Sequence, residues 1–100
     1  MPTYATLVKF SAQEVTAMTN TRKALAEGAK MAAEMGIKLI GTFATLGPYD
    51  MMLLYEAPDE KVAAGMIMRF NARWGGRSET WTLIPVEELP KLTAGRRGRT

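Results

Sequence analysis

The chain contains no cysteine and no histidine in its 100 residues. Disulfides, zinc sites built on thiolate or imidazole, thiol nucleophiles and a Ser-His-Asp triad are therefore all excluded. A metal site made only of carboxylates would need a dense Asp/Glu cluster, and no such cluster stands out. No stretch approaches the ~20 apolar residues of a membrane span. Met1-Pro-Thr-Tyr4 has neither the basic nor the apolar region of a secretory signal. A cytoplasmic location is the expectation.

Acidic residues are missing from one end. Residues 91–100 carry Lys91, Arg96, Arg97 and Arg99 and no acid, while the remaining residues hold nine bases against ten acids. The formal charge of +3 thus describes a basic tail on a nearly neutral body. Such a distribution does not point to a nucleic-acid-binding fold.

What is present is ordinary for one globular domain: 47% hydrophobic and 23% charged residues. The stretch from 41 to 55 organises the rest. It reads as two strands joined by a turn at Leu46-Gly47-Pro48-Tyr49, where glycine supplies φ > 0 and proline fixes φ near −65°. Residues 3–10 alternate as a strand, with Tyr4, Thr6, Val8 and Phe10 on one face. Ser11 and Glu14 form a capping-box pattern at the start of a helical turn. Asn20 or Thr21 offers a second N-cap before a helix over 22–35. Its apolar stripe is Ala24, Leu25, Gly28, Met31, Ala32 and Met35, and Gly36 stops it.

Strands over 37–46 and 49–57 follow. Asp59 and Glu60 open another helix, with Val62, Met66 and Phe70 spaced for one face, and Gly75-Gly76 end it. Residues 77–84 make a fourth strand that Pro85 stops, and a short helical turn is expected over 86–92. The order β-α-β-β-α-β predicts an α+β, ferredoxin-like fold, with two helices on one face of a four-stranded antiparallel sheet. Residues 1–92 form a single domain in this reading, and 93–100 a disordered basic tail.

The sheet is apolar on both sides. Tyr49, Met51, Leu53 and Tyr55 point one way and Met52 and Leu54 the other; Ile37, Leu39 and Phe43 oppose Ile40, Ala44 and Leu46. An antiparallel sheet with one wet face would alternate apolar with polar. Helices cover one side, and a second copy of the same sheet is the simplest cover for the other. A sheet-to-sheet homodimer is therefore expected.

Three separated segments resemble the GYD domain family: Met1-Pro-Thr-Tyr-Ala-Thr-Leu-Val-Lys-Phe10, Thr45-Leu-Gly-Pro-Tyr-Asp50 and Glu56-Ala-Pro-Asp59. Gly47, Tyr49 and Asp50 match the motif that names the family, and Arg22 falls where members tend to carry arginine. The resemblance covers roughly residues 1–90. It implies a dimeric α+β barrel, a superfamily of cofactor-free oxygenases, isomerases, dehalogenases, haem-handling proteins and ligand-sensing domains. The family brings no assigned activity. Haem members use histidine, which is absent here, so no cofactor is expected.

Candidate ligand-binding residues are Tyr4, Arg22, Thr45, Tyr49 and Asp50. Tyr49 and Asp50 either move a proton at the mouth of a sheet–helix cavity, or serve the turn, with Asp50 accepting backbone N–H groups and Tyr49 filling the core. Tyr4, Thr6 and Thr45 either line a pocket or pack. Arg22 and Lys9 either hold an anionic ligand or stay solvated. Met31, Met35, Met51, Met52, Met66 and Met68 occupy packing positions. Trp74 and Trp81 among Arg69, Arg73 and Arg77 are a weak nucleic-acid signal, and no such partner is expected. Three functions stay open: a dimeric module binding a small, mostly apolar ligand in the sheet–helix cavity, a cofactor-independent oxygenase or isomerase, or a structural subunit of a larger homo-oligomer.

Overall fold

A computed structural model describes residues 1–17 and 21–97. Strand β1 (Thr3–Lys9) leads into α1 (Ala12–Ala17) and α2 (Thr21–Glu34). Strands β2 (Lys38–Ala44) and β3 (Met51–Glu56) follow, then α3 (Glu60–Trp74) and β4 (Arg77–Leu83). A 3₁₀ turn (Val86–Glu88) and α4 (Leu89–Arg97) complete the chain. The sheet is antiparallel in the order β2-β3-β1-β4, the ferredoxin-like arrangement.

Local chemistry sets the element ends. The Ser11 N–H donates to Glu14 Oε1 at 2.7 Å and the Glu14 N–H to Ser11 Oγ at 3.2 Å, the reciprocal pair expected of a capping box. Glu14 Oε2 also accepts the Gly76 N–H at 2.8 Å, so one side chain ties the start of α1 to the loop after α3. These backbone donors hold the Glu14 carboxyl below its ordinary pKa. Of the two N-caps proposed for α2, Asn20 lies outside the described residues. Asp59 caps α3 by accepting the Val62 N–H at 2.9 Å. Gly75, at φ 79°, closes that helix with its N–H on the Asn71 carbonyl.

The core lies between the sheet and helices α2 and α3. Tyr4, Val8, Leu53 and Tyr55 meet Ala63, Met66, Ile67 and Phe70, with Ala32 from α2. Burying each of the larger of these side chains contributes about 1.5–3 kcal/mol. Four of the six methionines assigned to packing, Met31, Met35, Met51 and Met66, join this core or line it, and Met52 is half-buried on the other face. Met68 does not pack: it stands on the outer side of α3, 72% exposed.

Strand β2 departs from the simple alternation expected of it. Leu39 pairs with Tyr55, but Gly41, not Ile40, pairs with Leu54, because a bulge inserts Ile40. Leu39, Thr42 and Ala44 therefore share the helix side, and Gly41 and Phe43 share the open side. Phe43 does not lie with Leu39, nor Ala44 with Ile40: the extra residue reverses the parity.

The open face carries Leu7 and Ala5 of β1, Met52 and Leu54 of β3, Phe43 of β2 and Trp81 of β4, in register. Phe43 and Trp81 are each 48% exposed. Beyond β4 every residue from 84 to 93 is exposed. The radius of gyration, 15.9 Å, exceeds the ~13 Å of a compact chain this long, and the longest dimension is 53 Å. The C-terminal segment thus projects from the body as an arm. It is helical to Arg97, where the sequence suggests a disordered tail from 93; residues 98–100 lie outside the described residues.

Candidate functional site

The link between β2 and β3 is a clasp. The Thr45 hydroxyl donates to the Tyr49 carbonyl at 2.6 Å, and the Thr45 N–H to the Asp50 carbonyl at 3.1 Å. Gly47, at φ 118°, turns the chain between them. The clasp is also bound to the end of β1. The Asp50 N–H donates to the Val8 carbonyl at 2.9 Å, and Asp50 Oδ2 accepts the Phe10 N–H at 2.8 Å. Lys9 Nζ donates to the Pro48 carbonyl at 3.1 Å. Asp50 therefore anchors the backbone, though to a donor 40 residues away rather than in its own turn.

Tyr49 does not fill the core. Its hydroxyl donates to Glu79 Oε2 at 3.0 Å, and the Trp81 indole N–H reaches the same oxygen at 2.9 Å. Glu79 stands opposite Leu7 on the open face, so this cluster lies on the side away from the helices. The hydrogen bond to Glu79, then burial, raises the Tyr49 pKa above the ordinary phenol value. Sequence reasoning missed Glu79. The available signal was an acid two residues before a tryptophan on an alternating strand, which places both on one face.

Tyr4 and Arg22 are elsewhere. Tyr4 is buried and stacked on Tyr55 with ring centroids 5.8 Å apart, towards the opposite end of β1 from Asp50. Arg22 is exposed in the first turn of α2. Of the five candidates, the fold brings together Thr45, Tyr49 and Asp50 only.

Thr6 and Tyr55 are both fully buried, and their hydroxyls lie 2.8 Å apart. Thr6 is also 2.9 Å from the Thr80 hydroxyl, which completes a polar chain across three strands. Burial is the largest influence on Tyr55 and raises its pKa, against the hydrogen bonds.

An apolar cavity of about 30 Å³ lies under α2, bounded by Gly28, Met31, Leu39, Leu53, Met66 and Phe70. Ligand pockets are commonly ~300–1,000 Å³. Neither Tyr49 nor Asp50 reaches this cavity, so the polar groups and the enclosed space are separate. The two tryptophans are separate too. Trp74 packs on Phe70 at 5.0 Å beneath the Arg73 guanidinium, whereas Trp81 is on the open face. Among the described residues no helix is long and apolar enough to cross a membrane.

The sequence model of the GYD domain matches residues 4–93. The chain belongs to the GYD domain family. A curated relative from Thermus thermophilus, named glutamine synthetase and cystathionine beta-lyase binding protein, is 24% identical over 90 residues, covering 89% of this chain and 95% of its own. The crystal structure of TTHA0845, also from Thermus thermophilus, superposes with a TM-score of 0.60 at 20% identity, covering 86% of this chain and 96% of that one. That of the hypothetical protein PHS023 from Pyrococcus horikoshii gives 0.55 at 19% identity, covering 88% and 95%. At these identities the structures bear on the fold alone, and they share the arrangement seen in this chain.

Proposed function

We propose that this GYD domain is a homodimeric, non-catalytic binding module of the cytoplasm, paired through its open sheet face and acting on a protein partner. The apolar open face carries the reading. Leu7, Met52, Leu54, Phe43 and Trp81 form one continuous patch on a sheet whose other side is already covered. A second copy laid face to face removes that patch from water, and two-fold pairing is the commonest oligomeric solution.

Two further observations favour binding over catalysis. Asp50 and Thr45 hold backbone, and Tyr49 keeps its proton more firmly than an ordinary phenol. The sheet–helix cavity is about 30 Å³, which accepts a guest of very few atoms unless α2 moves, and the roomier clefts, about 300 Å³ beside residues 1–3 and 82–85 and about 190 Å³ beside Lys9, Glu14 and Arg77, are open at the surface and partly polar. A protein partner therefore fits this shape better than a small apolar ligand. The Thermus relative is named for binding two enzymes, and this chain is proposed to act in the same general way.

Sedimentation velocity tests the pairing. The wild-type protein is expected to run as a dimer at micromolar concentration, and Leu54→Asp as a folded monomer. A wild-type monomer in dilute solution overturns the reading. Titration calorimetry with glutamine synthetase from the protein's own source tests the partner, and no heat at tens of micromolar with either named enzyme class removes that part.

A further inference from the structure

Sheet pairing makes no use of the clasp built on Gly47, Tyr49 and Asp50. Hydrogen bonds on Thr45, Pro48, Tyr49 and Asp50 tie the clasp to itself and to the end of β1. What it presents to solvent is Leu46, which at 103% is the most exposed of the large apolar side chains described. An exposed leucine on a loose loop is commonplace. One held in water by a fixed backbone has given up conformational freedom before any partner arrives, and that lowers the cost of binding through it.

The charges at this end of the sheet are sorted. Asp50 Oδ2 accepts the Phe10 N–H, Glu14 accepts the Ser11 and Gly76 N–H groups, and Glu79 accepts the Tyr49 hydroxyl and the Trp81 indole N–H. These acids are turned to donors within the chain. The cations are turned outward. Lys9 and Arg77 face each other as the last pair of the β1–β4 ladder, and both are exposed. Neither makes an ion pair among the described residues, and Arg77 is only a minor influence on Glu14, behind the Ser11 and Gly76 N–H groups. Like charges directly opposite on a sheet repel, so an anion between them is favoured. Lys9 Nζ also reaches the Pro48 carbonyl at 3.1 Å, which sets the cations beside the tip that carries Leu46. The open cleft of about 190 Å³ next to them is lined by Lys9, Phe10, Ser11, Glu14 and Arg77.

We infer that this end of the sheet is the surface that docks the protein partner. Leu46 enters an apolar pocket of that partner, and an acidic side chain from the pocket rim enters the cleft between Lys9 and Arg77. This rests on the partner reading and adds where the partner sits and what its surface carries. The tip and the cleft lie at the strand ends, beyond the apolar patch, so pairing of the open faces leaves one such surface free on each copy. A two-fold contact between copies through this surface would set cations against cations, so its occupant is a different, acidic protein.

The probes are glutamine synthetase and cystathionine beta-lyase from the protein's own source, the two enzymes in the name of the Thermus relative, titrated by calorimetry. Leu46→Ser should weaken binding at least tenfold, because the burial of a whole leucine side chain is lost. It should leave the circular dichroism and the dimer unchanged, since that side chain is already wholly in water. Lys9→Gln with Arg77→Gln should weaken binding at low salt and flatten its salt dependence, which a purely apolar contact would not do. Binding that Leu46→Ser leaves intact overturns the docking surface and keeps the partner reading. A salt dependence that the double variant leaves unchanged overturns the acidic rim. A dimer that Leu46→Ser splits seats a second copy on the tip and refutes the inference. A wild-type protein that binds neither enzyme removes the partner reading and this surface together.

Discussion

Replacing Asp50 separates an architectural carboxylate from a chemical one. Asp50 Oδ2 accepts the Phe10 N–H at 2.8 Å in a half-buried setting, and the Asp50 N–H holds Val8 on the same strand. A hydrogen bond to a charged group contributes about 1.5–3 kcal/mol, and partial exposure places this one near the lower end. Asp50→Ala removes the acceptor and strands the Phe10 N–H, so a loss of about 2 kcal/mol is expected. Asp50→Asn keeps an oxygen in place and should lose about 1 kcal/mol or less, because a neutral bond is roughly half as strong. For a domain of this size each kcal/mol moves the melting temperature by about 4–8 °C. Asp50→Ala should then melt about 8–16 °C lower, and Asp50→Asn no more than about 8 °C lower. Urea unfolding at one fixed protein concentration checks the free energies, with an unchanged slope as the control. An Asp50→Ala protein within 0.5 kcal/mol of wild type would refute the reasoning and return the carboxylate to the list of groups free for chemistry.

Four further outcomes rest on other contacts of the fold. Thr6→Val should destabilise by about 1–3 kcal/mol because it removes the 2.8 Å partner of the buried Tyr55 hydroxyl and leaves only Thr80 beside it; Tyr55→Phe should cost about 1 kcal/mol, and a double-mutant cycle should show the two losses to be non-additive. The raised Tyr55 pKa means that the unfolded chain loses this proton first, so stability should fall as pH rises above the ordinary phenol value of 10.0, and Tyr55→Phe should flatten that fall in alkaline urea titrations. Glu14 has the opposite sign: its lowered pKa gives stability that is present above the ordinary carboxylate value and lost as pH drops below it, so Glu14→Gln should weaken the acid dependence of the melting temperature. Finally, Gly47→Ala should cost about 1–3 kcal/mol through its φ of 118° alone, since an added Cβ there meets no neighbour; a neutral result in calorimetry would show that the turn relaxes.

The sequence alone determined the elements and their order. Strand alternation, the Ser11–Glu14 box, the Asp59 cap and the stops at Gly36 and Gly75 are short-range effects, each decided by residues within a turn of one another. The greasy second face was legible for the same reason, since Met52 and Leu54 alternate with Leu53 whatever lies above them. Only the tertiary structure decided where the chemistry went. The bulge at Ile40 reversed the faces of β2, because parity along a strand survives only while the ladder is regular. Tyr49 turned to Glu79 and Asp50 to Phe10, partners 30 and 40 residues away that no local pattern encodes. The cavity and the outward course of the arm belong to the same class: each depends on how packed elements leave or fill space, which is a property of their arrangement and not of any one segment.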